Sequence, residues 1–200
     1  RIARDTILPM APLLAMLGQF NALDKQVEIR LSDEVLGGSW DALVAGRCDL
    51  TLGAGGELPR GHFEYRTLGE VEFVFAVAAN HPLTQRATPV DQAAIRDLPT
   101  IVVADSSRSL PGRSSGLLEG RHTIRVASMQ AKLDAQVMGL GVGFLPKHLA
   151  EPALQQGSLV ALPCTIPRPN MPAYMAWRKD NKGLALHWFV EACAKVRWFL

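Results

Sequence analysis

The side chains best able to move a proton or hold a metal near neutral pH are the five histidines His62, His81, His122, His148 and His187. None pairs with a cysteine or carboxylate at metal-ligand spacing, so no metal site is expected. His81 reads instead as a residue that shapes the turn before Pro82. Serines stand at Ser106, Ser107, Ser109, Ser114, Ser115 and Ser128. None sits in G-x-S-x-G, and no His and acid follow in an order that would activate a nucleophile. Gly53-Ala54-Gly55-Gly56 follows a strand-like run, where backbone N–H groups can cradle a phosphate. Pro59 then fails to open a nucleotide-binding helix, and a flexible turn is the competing reading. Gly139, Gly141 and Gly143 precede a strand, the reverse of a nucleotide fingerprint. Arg108 and Arg113 have the forked donors that grip a carboxylate, although a Ser- and Gly-rich loop equally suits solvated arginines.

The composition narrows the classes further. Basic and acidic residues number 21 and 19, without the basic stripe of a nucleic-acid-binding domain. The chain by itself is therefore not expected to grip DNA. Cys48, Cys164 and Cys193 are odd in number and lack CxxC spacing, which favours a reducing cytoplasm over a secreted disulfide scaffold. No apolar run has the length of a membrane helix. Arg1-Ile2-Ala3-Arg4-Asp5 reads like a strand entered midway, the expectation for a piece of a longer protein.

Strand and helix signals alternate, which predicts an α/β fold, with parallel sheets as the default. Asp5 and Thr6 are suited to cap a first helix, whose Leu13, Leu14, Leu17 and Phe20 form an apolar stripe. Val27 to Leu31 alternates like a strand with one buried face. Gly37-Gly38-Ser39 leads into a short helix that Gly46 ends, and Leu50-Thr51-Leu52 is a buried strand. Val71 to Val77 is a long β-prone run, and Ser106 to Gly120 reads as a mobile loop or weak helix. Ser128 is a helix cap, followed by Met129, Leu133 and Val137 on one face. The last helix starts near Gly183 and carries Ala185, Phe189, Ala192 and Val196 on one side.

Four segments, in order, resemble the effector-binding domain of LysR-type regulators. They are Trp40 to Leu52, with its Gly46 and Asp49-Leu50; Phe73 to Leu83, ending in His81-Pro82-Leu83; Gly139 to Pro146; and Gly157-Ser158-Leu159-Val160. The resemblance covers nearly the whole chain. It implies two Rossmann-like lobes joined by two crossover strands, as in periplasmic binding proteins. The first lobe would comprise residues 1–70 and 175–200, the second residues 71–174. The family's N-terminal winged helix-turn-helix, which would contact DNA, is absent from the sequence.

The same resemblance implies a small-molecule effector in the cleft between the lobes, no cofactor, and a homodimer, or a tetramer in the full-length protein. The implied contacts are Asp5 and Thr6 at the first strand–helix junction, Val35 and Leu36 before the second helix, and Ala54 and Gly55 after the third strand. In the second lobe they are Val103, Ala104 and Ser106 at a strand end, then Ser128, Met129 and Phe144. Many relatives place a small hydroxyl residue where Asp5 stands, so an acid there speaks against a purely anionic ligand, while Val35 and Leu36 make the pocket partly apolar. Two other classes share such a fold: a stand-alone solute-binding protein feeding a transporter, and an enzyme such as a deaminase-like lyase. The first would carry a signal peptide; the second needs a catalytic pair, which the sequence does not supply.

Overall fold

The structure, a computed structural model, describes residues 1–57, 61–114 and 118–199. Pro59, Ser115 and the middle of the expected 106–120 loop lie outside the described residues. The chain divides into two compact units: Arg1–Glu70 with Asp105–Arg113 and Met171–Leu200, and Val71–Ala104 with Ser114–Asn170. Residues 105–113 thus belong with the first unit, whereas the 71–174 boundary expected of the second lobe included them. Side-chain acceptors in the first unit, described below, hold that segment.

Unit 1 is built on a five-stranded sheet. β1 (Ile2–Asp5) lies between β2 (Leu31–Glu34) and β3 (Leu50–Gly55), parallel to both. β10 (Met171–Arg178) is antiparallel to β3, and β4 (Phe63–Val71) follows it at the edge. Pleating alternates the side chains of β1. Ala3 packs in a cluster with Trp40, Ala42 and Leu43 of α2 (Gly38–Val44), while Ile2 lines a shallow cavity with Leu186 and Phe189 of α6 (Leu184–Cys193). Helices therefore cover both faces of this sheet. α1 (Met10–Asn21) packs on α6 through Phe20, whose ring centroid is 5.0 Å from that of Trp188 and 5.0 Å from that of Phe189.

Three local expectations change here. The alternating stretch Val27 to Arg30 is not a strand: β1 pairs from Ile2 opposite Leu31, and before that only the Arg30 carbonyl, accepting the Ile2 N–H at 2.8 Å, reaches it. Asp5 and Thr6 do not cap α1. A turn closed by the Leu8 N–H on the Asp5 carbonyl intervenes, and Pro9 occupies the cap position without a side-chain bond. The buried stripe of α1 is Leu13, Met16 and Phe20, and Leu14 is exposed because it lies about 100° round the helix from Leu13. Gly46 does end α2, with φ at 69°.

Unit 2 has β5 (Phe73–Ala78) between β8 (Gly143–Pro146) and β9 (Leu159–Ala161), antiparallel to both. β6 (Pro99–Val103) and β7 (His122–Val126) are parallel. The Ile101 N–H to Val142 carbonyl bond, 3.0 Å, and the Val142 N–H to Pro99 carbonyl bond, 2.9 Å, tie β6 to the entry of β8. The all-parallel default therefore holds only in part: β5 and β10, the strands that follow the chain's passages between units at 70–71 and 170–171, run against their neighbours. The helices are α3 (Gln92–Ile95), α4 (Met129–Val137) and α5 (Lys147–Gln155). Ser128 caps α4, its Oγ accepting the Ala131 N–H at 3.1 Å, and the His81 Nδ1 accepts the Leu83 N–H at 3.1 Å in the turn before Pro82. α4 buries Met129, Lys132, Ala135 and Gln136, with Leu133 and Val137 half-buried beside the cluster of Ala76 and Leu145. Two polar residues thus lie on the face expected to be apolar.

The pairing of β3 with β10 slips between Tyr174 and Met175, which face Ala54 and Leu52 and leave Gly53 without a partner in the ladder. Gly53 takes φ of 84°, and a Cβ there would stand 2.9 Å from the Leu8 Cγ. It is the extra residue of a bulge that only glycine fits. Gly53→Ala is expected to cost about 2–3 kcal/mol by chemical denaturation. Gly18→Ala, inside α1 with nothing within 4 Å of the added methyl group, is expected to gain up to about 1 kcal/mol.

Candidate functional site

Open α/β sheets bind ligands beyond the carboxyl ends of their strands. In unit 1 that rim joins Asp5, Glu34 to Gly38, Ala54 to Gly56 and the segment 105–113. The Asp5 carboxylate is buried; its Oδ1 accepts the Ile7 N–H at 2.9 Å, and its Oδ2 accepts the Ser39 hydroxyl at 3.2 Å. The Leu36 N–H also donates to it. Leu36 has φ of 54°, a conformation that a branched residue seldom adopts, and this turns the β2–α2 loop over Asp5. Desolvation outweighs these donors and pushes the Asp5 carboxyl up to about 7. Thr6 is buried next to it, its N–H donating to the Glu34 carbonyl at 2.9 Å.

Segment 105–113 is fastened to the same rim. The Ser106 Oγ donates to the Glu34 Oε2 at 2.5 Å and accepts the Val35 N–H at 2.8 Å, and the Ser106 N–H donates to the Val35 carbonyl at 3.2 Å. Gly37 and Gly38 permit this approach: a Cβ on Gly37 would stand 2.6 Å from the Ser107 Oγ, and one on Gly38 would collide with the Ser106 Oγ. Asp41 of α2, fully buried, accepts the N–H groups of Arg108, Ser109 and Leu110 at 3.2, 2.9 and 2.7 Å, and pairs with the Arg47 guanidinium at 2.6 Å. Arg47 also reaches the Glu34 Oε1 at 3.1 Å. Burial alone would raise the Asp41 carboxyl, but Arg47 and the three backbone donors together hold it well below the usual carboxylate range. Asp105 accepts from the Ser107 N–H and hydroxyl, each at 2.7 Å, and from the Arg113 N–H, which outweigh burial and lower its carboxyl. The Gly55 carbonyl accepts the Trp40 indole N–H at 2.9 Å and the Arg113 Nη1 at 2.8 Å.

Six expected contact residues of unit 1 therefore stand on or under one rim: Asp5, Thr6, Val35, Leu36, Gly55 and Ser106. Ser106, expected in the second lobe, belongs here. Ala54 is fully buried in the Trp40 cluster, so its side chain serves packing. In unit 2, Val103 is buried and the Ala104 N–H donates to the Val126 carbonyl at 2.8 Å, which puts both at the carboxyl ends of β6 and β7. Ser128 and the buried Met129 open α4 just beyond β7. Phe144, half-buried, packs edge-on against Phe75 with centroids 5.6 Å apart. The sequence reading did not single out Glu34, Asp41 or Arg47 as parts of a site. Their spacing forms no motif, so the sequence carried no signal for them. Arg113, weighed as a carboxylate ligand, spends its guanidinium on the Gly55 carbonyl.

The Ser106 Oγ is bonded to the Glu34 carboxylate and the Val35 N–H and so ties the loop to the rim. Among the described residues no group of three or more His, Cys, Asp or Glu is placed to hold a metal ion, and no helix is long and apolar enough to cross a membrane.

A two-unit α/β chain with such rims falls in the periplasmic-binding-protein-like fold class, and the comparisons agree. The CcmR regulatory domain of Synechocystis PCC6803 in complex with 2-PG superposes with a TM-score of 0.71 at 16% identity, over 97% of this chain and 94% of that one. The regulatory domain of MetR from N. meningitidis, a LysR family regulator, gives 0.67 at 17%, over 96% and 89%. The family model of the LysR substrate binding domain matches residues 1–198, and the chain belongs to that family. Two relatives from Escherichia coli K12 are the HTH-type transcriptional regulator YeeY, named as uncharacterized, at 34% identity, and the HTH-type transcriptional regulator PunR at 32%. The alignments take in 94% and 95% of this chain but only 61% and 62% of those proteins, so the chain spans about three-fifths of their length.

The two buried carboxylates respond oppositely to pH. The lowered Asp41 adds stability above its unfolded value, near pH 4, which is lost as the pH falls further. The raised Asp5 keeps its proton in the folded chain between about pH 4 and 7 while the unfolded chain has lost it, so its contribution falls by about 1.4 kcal/mol per pH unit across that window. Asp41→Asn is expected to cost about 3–5 kcal/mol at pH 7 and to speed hydrogen exchange at the Arg108, Ser109 and Leu110 amides. Asp5→Asn is expected to destabilise most near pH 4–5 and progressively less toward pH 7, read by urea titration at each pH.

Proposed function

We propose that the chain is the effector-sensing part of a bacterial LysR-type transcription regulator and not an enzyme. The observation that carries this reading is the family match over residues 1–198, beside relatives that are HTH-type regulators and longer than this chain. In the full-length protein a winged helix-turn-helix outside this sequence contacts DNA, and a small-molecule effector biases a two-state arrangement that the DNA-binding part reports. The effector meets the unit 1 rim, where Asp5 offers an acceptor, or near neutrality a donor, and half-buried Leu36 offers apolar surface. The unit 2 residues Val103, Ala104, Ser128, Met129 and Phe144 are the second set of contacts. The setting is the cytoplasm, consistent with three free cysteines, two of them buried.

The assembly we propose is a two-fold homodimer in which α1 of one copy lies against α4 of the other. Leu14 on α1, and Met138 and Leu140 just beyond α4, support this: they are 53%, 73% and 49% exposed, large apolar side chains that an isologous contact would cover.

A thermal-shift screen of metabolites, followed by calorimetry on the compound that raises the melting temperature, tests the sensor reading. With that compound in hand, Asp5→Asn is expected to weaken binding by about 1.5–3 kcal/mol, roughly tenfold or more. Unchanged affinity would remove Asp5 from the contact set and leave it as the residue that shapes the β2–α2 loop.

A further inference from the structure

At the amino end of β1 in unit 1, an apolar surface runs on past the start of the strand pairing. β1 and β2 are parallel, with Ile2 opposite Leu31 and Ala3 opposite Ser32. The bonds between them recur at residues of one parity: the Ile2 N–H donates to the Arg30 carbonyl at 2.8 Å, and the Thr6 N–H to the Glu34 carbonyl at 2.9 Å. The strand-like alternation starts earlier, at Val27, and sets Val27 and Ile29 on the side of Leu31. Val27 is nonetheless 47% exposed, and Ile29 is half-buried. Both line a cavity of about 320 Å³ whose other apolar walls are Ile2, Leu50, Leu186 and Phe189. All of these walls belong to unit 1: the amino ends of β1 and β3, the run before β2, and α6.

The register fixes what the cavity can take. Successive side chains of a strand point to opposite faces. Ile2 faces α6, and Arg1 turns the other way, its Nη1 donating at 2.7 Å to the carbonyl of Gly46 at the end of α2. A residue joined ahead of Arg1 on the same strand returns to the Ile2 side and faces the cavity. Continued in register it stands opposite Ile29, with its N–H toward the Glu28 carbonyl and its carbonyl toward the Arg30 N–H. Edge backbone groups beside an apolar surface form a template for one more length of strand. We propose that this cavity is the seat of the segment that precedes Arg1 in the full-length regulator. That segment continues β1 backward, makes a strand of Val27–Arg30, and sets an apolar side chain against Ile29, Leu186 and Phe189. The HTH-type relatives, of which this chain spans about three-fifths, have the length to supply it. Its identity as the link to the DNA-binding part rests on the sensor reading. One strand then carries Asp5 of the effector rim at its carboxyl end and that link at its amino end.

Hydrogen exchange, read amide by amide on the full-length regulator and on the 200-residue chain, tests the seat. In the full-length protein the Arg30 N–H is expected to exchange on the order of a hundredfold more slowly than in the 200-residue chain. The Ile29 N–H points away from β1, and β2 is the edge of the sheet, so it should exchange alike in both. Ile29→Asp sets a charge against the incoming apolar side chain. It should return the Arg30 amide of the full-length protein to the rate found in the 200-residue chain, with an unchanged far-ultraviolet circular dichroism spectrum showing that the variant folds. Equal Arg30 rates in the two parent proteins would overturn the proposal, and so would an Ile29→Asp variant as protected as its parent. Protection in the 200-residue chain that grows with its own concentration would assign the cavity to a second copy and overturn it as well. Each of these results leaves the sensor reading standing, because the metabolite screen decides that reading. A slowed Arg30 amide with no responding metabolite keeps the seat and withdraws the effector.

Discussion

A fully buried carboxylate with no flexible escape, Asp41, is the constraint around which unit 1 is organised. It accepts three consecutive backbone N–H groups from a segment nearly seventy residues away and pairs with Arg47. Such a group cannot be half-satisfied: removing its partners would leave an uncompensated charge in the interior. Arg47 in turn engages Glu34, and Glu34 accepts the Ser106 hydroxyl. One continuous polar network therefore joins α2, the end of β2 and the start of segment 105–113. The loop's own composition, rich in Ser, Arg and Gly, would not order it. The order is imposed by acceptors on the sheet rim.

That network also explains why the rim has its shape. Gly37 and Gly38 are needed because Ser106 and Ser107 occupy the space their side chains would fill. Leu36 takes a left-handed conformation, and its N–H then completes the shell of Asp5. The cost of that backbone strain is borne by the bonds around it. The result is an edge on which a buried carboxyl, pushed up to about 7 by desolvation, stands beside a half-buried leucine.

The units handle buried polarity in opposite ways. Unit 1 pairs Asp41 and Glu34 with Arg47, and Arg4 with Asp33 and the Leu8 carbonyl, while Asp5 rests on the Ile7 and Leu36 N–H groups and the Ser39 hydroxyl. Unit 2 places Lys132 and Gln136 on the inner face of α4 and leaves their polar capacity partly unused. Both arrangements sit on the same kind of scaffold, a sheet with helices docked on it, so the difference lies in a few side chains and not in the architecture.

Much of this was legible in the residues. The alternation of strand and helix signals, Gly46 as a helix stop, Ser128 as a cap, His81 in its turn and the segments shared with LysR-type domains all depend on local preferences or short motifs, which survive in one dimension. Asp5, Val35, Leu36 and Ala104 stand at or just beyond strand ends, because strand ends are set by where apolar runs stop. The rest required the tertiary structure. Val27 to Arg30 alternates like a strand, yet a strand needs a neighbour, and β1 reaches back only as far as the Arg30 carbonyl. Asp5 looked like a helix cap, and only the approach of Ser39 and Leu36 made it a buried acceptor instead. Lys132 and Gln136 were invisible as core residues because their chemistry argues for the surface. Asp41, Glu34, Arg47 and Ser106 carry no motif at all: their meaning comes from a chain crossing that brings residue 106 beside residue 35, and sequence separation conceals distance.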